Sequence, residues 1–115
     1  MREFNQANNL ALLQRKNAGD LLGAIHRVSH FCYFKTPLQA QSAEATFRRA
    51  GFDTVLISSS LRSQVQVMHF SNLEIAELNQ ACDDINTVVE YYDGQYAGWD
   101  SPLVTMVAAN QLADA

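Results

Sequence analysis

Between residues 25 and 107 the spacing of apolar side chains changes period in a fixed order, and that order limits the fold more than any other feature of the chain. Ile25, Val28, Phe31, Cys32, Tyr33 and Phe34 make a short β-branched and aromatic run that stops before Thr36 and Pro37, as a buried strand does. Behind an N-cap at Thr36 and a proline at the first helical position, Leu38, Ala40, Ala43, Phe47 and Ala50 recur at helical spacing until Gly51. Residues 53–59 and the period-two stretch Gln64–Phe70 predict a hairpin connected through residues 60–63. Ser71, with Glu74 in the capping-box position, predicts the start of a second helix that runs to about Tyr92. Its apolar stripe, Ile75, Leu78, Cys82, Ile85, Val89 and Tyr92, faces a sheet. Asp93 and Gly94 end it, Tyr96 and Trp99 fall in a loop, and Leu103, Val104, Met106 and Val107 predict a last strand.

Strand, helix, strand, strand, helix, strand is the order of an α+β, ferredoxin-like βαββαβ sandwich, with both helices on one face of an antiparallel sheet. A further helix over residues 4–18, ending in Arg15, Lys16, Asn17 and Gly19, precedes it. One domain is therefore expected over residues 1–115: a helical preface at 1–24, the core at 25–107 and a frayed tail at 108–115. A hydrophobic fraction of 48% supports a packed core and argues against wholesale disorder. The opening residues lack the basic-then-apolar pattern of a secretory leader, and no apolar run is long enough to span a bilayer, so a cytoplasmic protein with no membrane partner is expected. Cys32 and Cys82 are expected to be free thiols.

Charge is divided sharply along the chain. All 8 basic residues lie at or before Arg62, while eight of the 12 acids lie after it, which gives about +4 for residues 1–62 and −8 for the rest. A net charge of −4 argues against a domain built to hold nucleic-acid phosphates. On the second core helix Glu77, Asp83, Asp84 and Glu90 project away from the apolar stripe, so the acids collect on one outer surface.

Other chemistries have less to rest on. GxSxG, GxxxxGK[ST], HExxH and GxGxxG are all absent, and adjacent Asp83 and Asp84 diverge by about 100° on a helix, so they do not face each other as an acid/base pair. Ser58, Ser59 and Ser60 read as a hairpin turn rather than a nucleophile site. His30 and Cys32 share one side of their strand within reach of His69, yet no fourth ligand is evident, and neither metal nor cofactor is expected. Phe31, Tyr33 and Phe70 are the residues a sheet-based RNA-binding module would use for stacking; here they are expected to belong to the core, and no direct nucleic-acid contact is expected. A ferredoxin-like sheet leaves one face open, and this one would expose Phe31 or Tyr33 unless something covers it, which is compatible with a homodimer, including a homodimeric small-ligand-binding domain.

Several segments together resemble one family. They are Leu13–Leu21 (LQRKNAGDL), His30–Pro37 (HFCYFKTP), the helix end Arg48-Arg49-Ala50-Gly51-Phe52, and above all Gly94-Gln95-Tyr96-Ala97-Gly98-Trp99. The last is similar to the Gly-rich Tyr-Asp-Gly-Trp turn of the regulator of ribonuclease activity B family, protein inhibitors of ribonuclease E. Ala97 stands where that family usually has aspartate, which removes any hydrogen bond a carboxylate would make in the turn. The resemblance, over about residues 10–107, implies a ferredoxin-like fold, no catalytic residues, and binding to the regulatory region of ribonuclease E or a similar endoribonuclease. Such regions are rich in arginine. The expected contact residues are therefore Glu77, Asp83, Asp84 and Glu90, with Asp100 at the rim and Trp99 as an aromatic anchor.

Overall fold

The computed structural model describes residues 2–59 and 62–106. Its elements are α1 (Arg2–Asn17), β1 (His26–Phe34), α2 (Pro37–Arg49), β2 (Asp53–Ser58), β3 (Ser63–Ser71), α3 (Ile75–Tyr91) and β4 (Gln95–Asp100). The four strands form one antiparallel sheet in the order β2-β3-β1-β4, which is the ferredoxin-like arrangement with β1 and β3 at the centre.

Local chemistry explains where the elements begin. Thr36 Oγ1 accepts the Gln39 N–H while the Gln39 side chain accepts the Thr36 N–H, a complete capping box closed by Pro37 in the first turn. At α3 the expected cap moves. Ser71 remains in β3, paired with His26, and Glu74 takes the N-cap position without a side-chain bond. Asn72 Oδ1 instead accepts the Glu74 N–H in a local turn, and the helix starts one turn later. At the other end of α3, Gly94 is required: a Cβ there would lie 2.5 Å from the Phe34 ring and 2.8 Å from the Tyr33 carbonyl oxygen.

The last strand is also displaced from its expected place. Tyr96 and Trp99 lie within β4, whereas residues 101–105 have no regular structure. Ala97 is the extra residue of a bulge: Phe31 pairs with Gly98 and Cys32 with Tyr96. Gly98, at φ 120°, occupies a backbone region that side chains rarely enter.

All three helices lie on one side of the sheet. Cys32, Phe34, Val65 and Val67 pack there against Ala40, Ala43 and Phe47 of α2 and Ile85 and Val89 of α3. A second cluster joins Leu12 of α1 to Val28, Leu73, Leu78 and Cys82. Residues of the tail expected at 108–115 lie outside the described ones. The opposite sheet face carries Phe31 and Tyr33 of β1, half-buried, and Phe70 of β3, 68% exposed. Those three aromatics are therefore not in the core; in β1 the inward set is His26, Val28, His30, Cys32 and Phe34, and the alternation sends the rest outward.

Candidate partner-binding surface

The outer side of α3 is where the acids gather. Glu77 and Asp84 are seven residues apart, so they line up to within about 20° at a rise of about 10.5 Å. Asp83 and Glu90 form a second row with the same spacing, about 100° around the helix. Glu77, Asp84 and Glu90 are exposed and Asp83 is half-buried. Gln80 Nε2 donates to Asp84 Oδ1 at 2.7 Å and Asn86 Nδ2 to Glu90 Oε1 at 3.1 Å. Each carboxylate has several lone pairs, so these bonds orient the acids and still leave acceptor capacity.

Helix ends sharpen the contrast. α1 closes on Arg15 and Lys16, and α2 on Arg48 and Arg49, cations that suit the negative end of a helix dipole. α3 has no base in its last turn, where Glu90 is followed by Asp93 at φ 61°. A carboxylate there is disfavoured by about 0.3–1 kcal/mol, and a cation brought to it reverses the sign.

Trp99 and Asp100 are held elsewhere. Trp99 lies opposite His30 on the inner side of the sheet, donates Nε1–H to Asn8 Oδ1 at 2.9 Å, and has the Arg15 guanidinium 5.4 Å from its ring centre. The Asp100 carboxylate is 77% exposed, 3.8 Å from Arg15 Nη1. These two residues border α1, while the four helical acids face away from the sheet.

A polar spine connects the layers: His30 and His69 meet as the strand pattern predicts, while Tyr96, Cys82 and Asn8 join them without a signal in the sequence. His30 contacts His69 through Nε2 at 2.9 Å and the Tyr96 hydroxyl through Nδ1 at 2.7 Å, and Tyr96 donates to Cys82 Sγ at 3.4 Å. Asn8 then donates to Cys82 Sγ and, at 2.8 Å, to Asn79 Oδ1. Burial, then the neighbouring His69, brings His30 down to about 3, and burial lowers His69 as well. Cys82 and Tyr96 are both pushed up, chiefly by burial. Cys32, pushed up by burial to about 12, lies in the α2-side core. Among the described residues no three His, Cys, Asp or Glu side chains are placed to hold a metal ion. Ser59 exchanges hydrogen bonds with the Arg62 backbone, which makes it a turn residue.

At the start of β1, Asp20 is buried between three donors: His26 Nε2 at 2.7 Å, Arg15 Nε at 2.7 Å and the Val104 N–H at 2.9 Å. Burial pushes its carboxyl up, and the bonds from His26, Val104 and Arg15 more than offset that, leaving it below the usual range. This cluster ties the end of α1 and the segment after β4 to the sheet.

A family model described as regulator of ribonuclease activity B matches residues 5–101. This chain belongs to that family. The match takes in α1 as well as the sheet and α3, and the family is one of regulators rather than catalysts. A search of curated proteins found no matching sequence. No helix among the described residues is long and apolar enough to cross a membrane.

Proposed function

We propose that this protein is a non-catalytic inhibitor of a ribonuclease E-like endoribonuclease, acting in the cytoplasm by binding a basic regulatory segment of the enzyme and so modulating RNA turnover. The binding surface is the outer side of α3, with Glu77, Asp83, Asp84 and Glu90 as its contacts. The observation that carries this reading is the end of α3: among the described helices it is the one with no base in its last turn, where Glu90 stands with Asp93 just beyond, and a cationic partner removes the cost of that arrangement. Rows of carboxylates about 10.5 Å apart suit a long segment with several arginines, which gains charge-assisted bonds as well as a faster encounter.

Capture from lysate at low and moderate salt tests it. Wild-type protein recovers the ribonuclease and Asp83→Lys/Asp84→Lys does not; equal recovery by the two proteins removes the α3 surface from the account.

A second reading has its own observation. Phe31, Tyr33 and Phe70 lie outward on the two central strands, the positions from which ferredoxin-like modules stack RNA bases. Asp53 and Asp100 share that face with Arg27 and with Arg62, whose guanidinium lies 4.9 Å from the Tyr33 ring centre, so the charges balance and phosphate affinity there is weak. Binding of a single-stranded oligonucleotide that falls steeply with salt and is lost in Phe31→Ala supports this second reading.

A further inference from the structure

A groove of about 610 Å³ runs between α1 and β4. Residues 96 to 100 line it in unbroken succession. Neighbouring strand residues point to opposite faces, so a groove touched by five in a row follows the outer edge of β4. The facing wall is one stripe of α1, with Phe4, Ala7 and Ala11 at spacings of three and four, continued by Ala18 just past the helix end. β4 is the last strand of the sheet, and among the described residues no backbone hydrogen bond joins residues 95–99 to anything beyond β1.

Three polar side chains at the groove, Asn8, Arg15 and Trp99, are already engaged. Arg15 donates to Asp20 and to the Ser101 carbonyl, and the Trp99 indole donates to Asn8. What the groove offers a newcomer is therefore the backbone edge of β4, small apolar side chains, the Trp99 ring, the exposed Gln14 and the Asp100 carboxylate, which stays 77% exposed although its Oδ1 accepts the Ser101 N–H and lies 3.8 Å from Arg15 Nη1.

We propose that an extended cationic segment of the protein partner adds to β4 as a fifth strand, its arginine or lysine meeting Asp100 and its alternate apolar side chains lying against the alanines of α1. This rests on the reading above that the partner is cationic, and it names a second docking site and its mode. Arg15 lines the same groove but is held at 2.7 Å by Asp20, so the exposed Asp100 carboxylate keeps its charge for an incoming cation, which Gln95–Asp100 of a second copy, with an acid and no base, does not bring. From Phe4 to the end of α1 the helical wall is about 20 Å long, the reach of ~6 extended residues. The bulge at Ala97 and the overhanging helix keep flat edges from pairing there, which restricts entry to a short strand.

The test uses a peptide of ~6 residues alternating valine and arginine, and the same peptide with alternate amides N-methylated. Amide exchange of the full chain, followed by NMR, reads where each binds. The first peptide slows exchange at amides of Gln95–Asp100, and N-methylation weakens it about tenfold or more, the loss of one or two net hydrogen bonds. Ala11→Trp, which fills the groove, weakens it similarly; Ala7→Phe serves if that variant does not fold. No binding, equal affinity for the two peptides, or protection confined to α3 overturns the proposal. Asp83→Lys/Asp84→Lys is expected to lose the ribonuclease yet keep peptide protection at β4, so failure of the α3 reading and failure of this one are told apart.

Discussion

His30 Nε2 lies 2.9 Å from His69 Nε2, joining a fully buried ring on β1 to a half-buried ring on β3. Because Tyr96 donates to Cys82, its oxygen accepts from His30 Nδ1–H, and His30 Nε2 then accepts from His69 Nε2–H. Every polar group on this path has a partner, and the neutral form of His30 is the one that fits.

The folded pKa of His30, about 3, lies below the ordinary 6.5, and His69 shifts the same way. Protons therefore bind the unfolded chain first. The contribution of the pair is fully present above about pH 6.5 and is lost as pH falls from there toward the folded value. Urea unfolding at stepped pH checks this, and His30→Phe/His69→Leu is expected to flatten the slope in that window.

Asp20→Ala strands Arg15 and His26 without their shared acceptor, and a loss of about 3–5 kcal/mol is expected, as for other broken buried ion pairs. The folded pKa of Asp20 is depressed, so its contribution is full above its ordinary 3.8 and disappears as pH falls through the folded value. Denaturant midpoints of the variant at pH 7 measure the loss.

Asn8→Leu leaves the Trp99 indole N–H and the Asn79 carbonyl without their mutual partner. A cost of about 2 kcal/mol is expected from the unpaired groups. Trp99 is the single tryptophan, so its fluorescence reports both the unfolding midpoint and the change at its own ring.

Gly94→Ala places a methyl inside contact distance of Phe34 and the Tyr33 carbonyl. Overpacking of this kind costs about 1–3 kcal/mol. A thermal unfolding midpoint unchanged from wild type contradicts the close packing of this turn.

Local signals were legible in the chain and nonlocal ones were not. Thr36, Pro37 and Gln39 form their cap within four residues, and the rows of acids on α3 follow from helical periodicity alone. β4 was hidden because Ala97 and Gly98 break its alternation, while Leu103 to Val107 imitate a strand. Which way Phe31 and Tyr33 face was not decided by the sequence, since both faces of β1 carry apolar side chains and nothing nearby in sequence says which meets the helices. The His69–His30–Tyr96–Cys82 spine joins residues on three strands and a helix, so it is complete only once cross-strand register is fixed. Trp99 was legible as an aromatic in a glycine turn, but its bond to Asn8 spans most of the chain.

Whether carboxylates on α3 carry inhibition is tested most directly by cleavage of a structured RNA by full-length ribonuclease E, with and without this protein. Wild type is expected to slow cleavage in a salt-sensitive way, and Asp84→Lys/Glu90→Lys, shown by unfolding to be equally stable, to leave cleavage at its uninhibited rate. Undiminished inhibition by that stable variant contradicts the account.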